Sequence, residues 1–266
     1  MIGMNFGLWW SGSKLSYLRY LTFKSLRHFH PKSKIELFVG SESKKDGHKW
    51  WGGEKQEFEN PEDIGKDYIE ELEGLGVEVH RVDWFSQYHP NFQSDLFRWW
   101  YLKSYGGFYL DTDQIILKSF EKLPLDYNLI YSGYKADSCG YYTPVGVIGA
   151  TSDSKVVDYV FNNLTSYIDV NSYNSAGPFM FREVMCKMKW DEKIFNAPSV
   201  CFYPIDDSYK VVDVYSGKFK VPTESFALHW YGGSPKSQEF NKNYNEFFAK
   251  NSTDTISCML KQRGIV

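Results

Sequence analysis

The chain has 266 residues, 42% of them hydrophobic and 24% charged, with a formal net charge of −3. That is enough apolar sequence to bury a sizeable core, as one large domain or two small ones. With no block of five like charges, the chain carries neither a nucleic-acid footprint nor a polybasic membrane anchor, and no apolar run approaches the roughly 20 residues that cross a bilayer.

MNFGLWW, residues 4–10, reads as a first strand, followed by a turn of small residues at Ser11, Gly12 and Ser13. From Lys14 to Phe29 apolar residues recur at helical spacing, and Pro31 ends the run. IELFVG, 35–40, is a second strand. Residues 41–61 are polar and glycine-rich and read as a long loop carrying Trp50 and Trp51. A helix over about 61–72 and a strand over 77–82 follow. Strand, helix, strand, helix, strand predicts right-handed crossovers and a mostly parallel sheet, with ligands gathering at the carboxyl ends of its strands.

Beyond the middle of the chain, helices are expected near 153–167 and 177–188. Strands are expected near 129–133, 144–150, 199–203 and 225–230, with an amphipathic tail over 236–262. No repeat or linker divides the chain, so a single domain over 1–266 is expected. The four cysteines, Cys139, Cys186, Cys201 and Cys258, show no CxxC pair; they read as reduced structural thiols of a cytosol-like compartment. MIGMNFGLWW lacks the basic region and cleavage site of a signal peptide. A soluble, cytoplasmic protein is the expectation.

The chemistry concentrates in YGGFYLDTDQIILKS, 105–119. Ser94 is a good N-cap for a helix over 95–105, Gly106 and Gly107 stop it, and Phe108, Tyr109 and Leu110 run as a strand. Side chains alternate along a strand, so Asp111 and Asp113 share one face with Cα atoms roughly 6.5 Å apart, while Thr112 points the other way. Two carboxylates so placed repel unless a cation lies between them. A hard divalent ion, Mn²⁺ or Mg²⁺, prefers oxygen ligands and keeps positions open for phosphate oxygens.

The longer stretch SDLFRWWYLKSYGGFYLDTD has the form S-D-x-x-R-x-x-x-L-x-x-x-G-G-x-Y-x-D-x-D. It resembles the sugar-nucleotide-binding region of DXD glycosyltransferases, more narrowly glycosyltransferase family 32 and the glucosyltransferase domains of large clostridial toxins. The leucine, Leu102, is one place off the commonest form. The resemblance implies a GT-A fold: α/β, Rossmann-like, with a mixed, mostly parallel sheet flanked by helices. It implies a nucleotide-binding part over about 1–115 and an acceptor side with a C-terminal lid over about 116–266.

By the same resemblance, Asp95 and Arg98 contact the donor's sugar and phosphate. Asp111 meets the ribose or sugar, Asp113 ligates the metal, and Tyr109 and Thr112 belong to the donor site. Trp10 in W-x-G, followed by Gly12, is the base-stacking platform, with Trp9 the competing ring. Gly177 and Pro178, in SAGP, correspond to a T-G-P element on the sugar side. FALHWYGGSPKS is similar to an H-x-W-x-G-S-W lid, which makes His229 a candidate metal ligand and Ser234 a candidate phosphate or metal contact. Pro235 stands where the family has a tryptophan.

The implied activity is metal-dependent, retaining transfer of a hexose from a UDP- or GDP-linked donor to a carbohydrate or other acceptor, as in polysaccharide biosynthesis. FYLDTDQ is also similar to the first motif of haloacid-dehalogenase phosphatases, with Asp206 and Asp207 as a late acidic motif. There, however, the motif opens the chain, and S-D-x-x-R and Gly-Gly have no role. A non-catalytic sugar-binding relative is the third reading, against which the intact acids argue.

Overall fold

The computed structural model describes residues 1–41, 65–133, 143–205 and 210–266. In chain order its elements are β1 (Phe6–Trp10), α1 (Tyr17–Phe29), β2 (Ile35–Gly40), α2 (Glu71–Gly74), β3 (Glu78–Val82), α3 (Pro90–Tyr105), β4 (Gly107–Leu110), β5 (Gln114–Ile116), β6 (Leu129–Ser132) and β7 (Val147–Ala150). Then come α4 (Lys155–Asn163), α5 (Met180–Lys187), β8 (Ile194–Ala197), α6 (Val211–Tyr215), β9 (Ala227–His229), α7 (Pro235–Asn243), α8 (Glu246–Asn251) and α9 (Thr255–Gln262).

Seven strands form one sheet in the order β3-β2-β1-β4-β7-β6-β8. The β3, β2, β1 and β4 neighbours run parallel, β7 is antiparallel to β4 and β6, and β8 runs parallel to β6. This is the mixed, mostly parallel α/β sheet that the resemblance implies. The chain steps outward from β1 through β2 to β3 and then returns to the other side of β1 as β4. That reversal makes the carboxyl ends of β1 and β4 the place where a ligand crevice forms.

Alternation along the strands divides the core. Phe6 and Leu8 of β1, Leu37 and Val39 of β2 and Phe108 and Leu110 of β4 face one cluster with Phe23 and Leu26 of α1. Trp9, Phe38 and Tyr109 face the other, with Phe97, Trp99 and Tyr101 of α3. Gly7 has no Cβ because the Tyr101 ring lies within 2.6 Å of where one would be. The other side of α1, Leu18 and Leu21, packs with Ile256 and Leu260 of α9 and with Trp230. Such clusters supply about 25 cal/mol per Å² of apolar surface removed from water, so the α1 sandwich fixes the C-terminal segment against the sheet.

Several expectations are corrected. Of the helix expected over 61–72, residues 61–64 lie outside the described residues, 65–70 are non-helical, and a single helical turn spans Glu71–Gly74. The strand over 199–203 is a tight turn, and the strand lies earlier, at Ile194–Ala197. Ser94 is not a cap: α3 begins at Pro90 with His89 as N-cap. Pro is welcome in a first turn because its missing N–H has no intrahelical partner there, so the helix extends back past the serine. The helix near 177–188 starts at Met180, after a wide turn over Ser175–Phe179. Cys186 is disulfide-bonded, which overturns the reading of four reduced thiols, whereas Cys201 and Cys258 are free. Cys139, Trp50, Trp51, Asp206 and Asp207 lie outside the described residues. Among the described residues no helix is long and apolar enough to cross a membrane.

Candidate functional site

Gly106 and Gly107 turn the chain out of α3 with φ of 64° and 86°, a left-handed backbone that favours glycine. β4 then delivers Asp111 at the sheet's reversal, directly beside the end of β1. The D-T-D residues are not a strand: Asp111–Asp113 form a turn between β4 and β5. Thr112 does point away from the acids, toward α1. Its Oγ1 accepts from Arg19 Nη1 at 2.8 Å, and its carbonyl accepts from Thr22 Oγ1 at 2.7 Å.

β5 pairs antiparallel with β9, in a register that sets Gln114 opposite His229. That pairing brings the last strand's histidine to the second aspartate: His229 Nε2 lies 3.1 Å from Asp113 Oδ2. The Gly232 N–H donates to the same oxygen at 2.8 Å. Ligand atoms of Asp111, Asp113 and His229 all lie within 4.8 Å of one another, so the three form a group that could hold a metal ion. Asp113 Oδ1 and His229 Nδ1 are buried without a hydrogen-bond partner. Burial opposes ionisation of both residues, but their mutual attraction outweighs it. Asp113 is held below the usual carboxylate range, helped by Arg19 and the Gly232 N–H, and His229 is raised above its ordinary value.

A second cluster of the same type, Glu36, Glu78 and His80, lies on β2 and β3. There the cation is supplied by the chain: Lys34 Nζ stands 2.8 Å from Glu36 and 3.3 Å from Glu78. The D-T-D group is the one whose unpaired atoms fit an exogenous ion.

Asp95 and Arg98 form an i,i+3 ion pair at 2.9 Å, both nearly sealed from solvent. Arg98 Nη1 also stands 3.6 Å from Asp111 Oδ1 and donates to the Val145 carbonyl at 2.5 Å. Its guanidinium lies 4.5 Å over the Tyr109 ring, and the Tyr109 hydroxyl donates to Asp111 Oδ1 at 2.5 Å. Burial alone would lower Arg98; the surrounding Tyr109, Asp111 and Asp95 hold it above its ordinary value. Burial pushes the Asp95 carboxyl up to about 6, against the pull of Arg98 and with the push of Asp111. Tyr109 is raised by burial and then by Asp111, which keeps its proton in place as a donor.

Gly177 is brought to this pair: a Cβ there would meet Asp95 Oδ1 at 2.8 Å. Pro178 is buried beside it. At the end of β1, Trp9 is buried against Phe97 and Phe85. Trp10 is half-buried on the opposite face, its Nε1 donating to the Lys14 carbonyl, its ring over Gly12 and under the Arg19 guanidinium. Ser234 N-caps α7 with its hydroxyl, and Pro235 takes the first helical position, so this helix start explains the proline that departs from the family pattern.

Three neighbours escaped the sequence reading. Gly146 must be glycine because a Cβ there would overlap Asp111 Oδ2. The Tyr203 hydroxyl accepts from the Val147 N–H at 2.9 Å, and its ring meets His229 at 5.5 Å. Arg19 is one polar position of the amphipathic helix α1.

Residues 19–130 match the family described as glycosyltransferase sugar-binding region containing DXD motif. No curated protein matches the chain. Among solved structures, the PaToxG glycosyltransferase is similar at 20% identity, covering 70% of this chain and 68% of its own, with a TM-score of 0.43. GlyE, a glycosyltransferase of Streptococcus pneumoniae TIGR4, is 13% identical over 100% of this chain and 64% of its own, with a TM-score of 0.48. The galactosyltransferase LgtC, in complex with donor and acceptor sugar analogues, is 15% identical over 92% and 99%, with a TM-score of 0.43. The chain thus spans about two thirds of PaToxG and of GlyE. At these scores the likeness carries no substrate or partner across. The family match covers the S-D-x-x-R helix, both glycines and both acids, and gives no support to the phosphatase reading of the same motif. Residues 19–130 thus match a DXD-containing sugar-binding region of glycosyltransferases, over somewhat less than half of the chain.

Proposed function

We propose that the chain transfers a hexose from a UDP- or GDP-linked donor to a glycan or other acceptor, with retention of anomeric configuration and with Mn²⁺ or Mg²⁺ bound. The observation that carries this reading is the group of Asp111, Asp113 and His229, with Asp113 Oδ1 and His229 Nδ1 buried and unpaired. A buried polar atom without a partner costs about 1–3 kcal/mol, a cost that ligation would remove. Its place at the carboxyl ends of β1 and β4 suits a nucleotide held by the first part of the chain, about 1–115, and an acceptor met by the rest.

Asp113 and His229 would hold the ion, with Asp111 beside them. A divalent cation bound there supplies positive charge against the diphosphate as it leaves. The chain's own side chains do the positioning. Arg98, locked between Asp95, Asp111 and Tyr109, offers a fixed charge to the donor phosphate, and Asp95 orients sugar hydroxyls. Gly177 and Pro178 shape the sugar side, Trp10 carries the base, and Thr112 holds the turn between the acids. The acceptor's proton passes to the leaving diphosphate, which needs no protein nucleophile.

Titration calorimetry with UDP and GDP, with Mn²⁺ and again in EDTA, tests the metal requirement. Binding that depends on Mn²⁺ is expected, and equal affinity in EDTA overturns it. A screen of nucleotide sugars for metal-dependent hydrolysis then identifies the donor.

A further inference from the structure

Arg19 projects from α1 into the junction between the end of β1, the D-T-D turn and the segment after β9. It is only 8% exposed. A guanidinium taken that far from water is costly unless its faces and its N–H groups are used. Its planar face lies 4.5 Å over the Trp10 ring and 5.2 Å from the Trp230 ring. Nη1 donates to Thr112 Oγ1 at 2.8 Å, within D-T-D itself. A Cβ on Gly232 would stand 2.7 Å from Nη2, so the glycine makes room for the guanidinium. The same Gly232 donates its N–H to Asp113. Tyr231, immediately before it, has a φ of 52°, a strained conformation for a bulky residue that neighbouring contacts must hold in place.

We propose that Arg19 is a positioning residue: its guanidinium clamps Trp10, Thr112 and the Trp230–Gly232 turn together, and so holds Asp113 at the geometry that the bound ion and nucleotide require. The inference rests on the metal-dependent reading above. It depends on the planar fork and not on charge alone, because an ammonium is a point charge that cannot lie flat between two indoles while donating to a hydroxyl.

The test compares Arg19→Lys, Arg19→Met and Thr112→Val with wild type, titrating Mn²⁺ in the presence of UDP or GDP and recording thermal unfolding. Thr112→Val keeps the side-chain shape and removes only the acceptor that Nη1 uses, so it remains informative if an Arg19 variant fails to fold. The expected result is Mn²⁺ affinity weakened about tenfold, the scale for partners behind a metal ligand, in Arg19→Lys and Thr112→Val alike, with little change in melting temperature. Unchanged Mn²⁺ affinity in the folded variants, beside a wild type that binds, overturns the inference alone. Absence of Mn²⁺-dependent nucleotide binding in wild type overturns the reading beneath it.

Discussion

Asp113 and His229 meet at 3.1 Å although one lies in the D-T-D turn and the other ends β9. Both side chains are largely shielded from solvent in that position, and each ionised partner compensates the burial of the other. The contact exists because β5, immediately after the motif, pairs with β9 in one register. A slip of one residue would turn His229 to the other face.

Replacing Asp113 by Asn keeps the shape and removes the charge that attracts both His229 and a cation. Transfer activity and Mn²⁺ affinity should both fall by on the order of 100-fold or more, since even outer partners of a metal ligand cost 10- to 100-fold. Loss of the pair should cost about 1–3 kcal/mol of stability. Thermal unfolding with and without Mn²⁺ is the check. The ion should raise the wild-type melting temperature by mass action and leave the variant's unchanged. A variant that is still stabilised by Mn²⁺ would move the metal to other ligands.

Gly146 and Gly177 are steric requirements of the half-buried Asp111 and the buried Asp95. Alanine at Gly146 would press on Asp111 Oδ2, and alanine at Gly177 on the Asp95 carboxylate. Each should lower kcat/KM by roughly 100-fold, the scale expected for a misplacement of about 1 Å, at a stability cost of about 1–3 kcal/mol for overpacking. Steady-state kinetics beside urea unfolding separates the two effects. Full activity in either variant would show that its acid has room to move without consequence.

His30 makes stability depend on pH. It is 2% exposed, its ring packs on Phe6 and Phe120, and its Nε2 accepts from the Phe120 N–H at 3.2 Å. Burial, with Arg27 nearby, lowers it from its ordinary 6.5 to about 4. The folded state therefore resists a proton that the unfolded chain accepts. The stabilisation is fully present above pH 6.5 and is lost as pH falls toward 4. Each pH unit of that window contributes about 1.4 kcal/mol, so the loss is on the order of 3 kcal/mol. Urea unfolding between pH 4 and 7 should show a shallower slope in His30→Leu than in wild type; identical slopes would contradict a neutral His30.

Much of this was legible in the sequence. β2 lies where IELFVG placed it and β3 within one residue of the expected start, because strand alternation and glycine punctuation are local signals. The Asp95–Arg98 pair follows from one helical turn of spacing. Within the helix expected over 61–72, the described residues 65–70 are non-helical and only the turn at Glu71–Gly74 forms, since periodicity with little packing behind it does not sustain a helix. The start of α3 was missed because Ser94 is a good cap in isolation, whereas Pro90 offered an earlier entry. Gly146, Tyr203 and Arg19 had no local signature, since each matters only for what lies across from it.

The sequence by itself determined the parallel beginning of the sheet, the glycine turn and the acids at its end, all set by interactions among residues close along the chain. Tertiary structure decided which groups those acids face. His229 beside Asp113, Gly177 under Asp95 and Arg19 between two tryptophans are meetings of distant segments, created by strand register and by the burial of α1 between the sheet and the C-terminal helices. Spacing within a strand or helix is local geometry. The electrostatic setting of a buried charge belongs to everything packed around it.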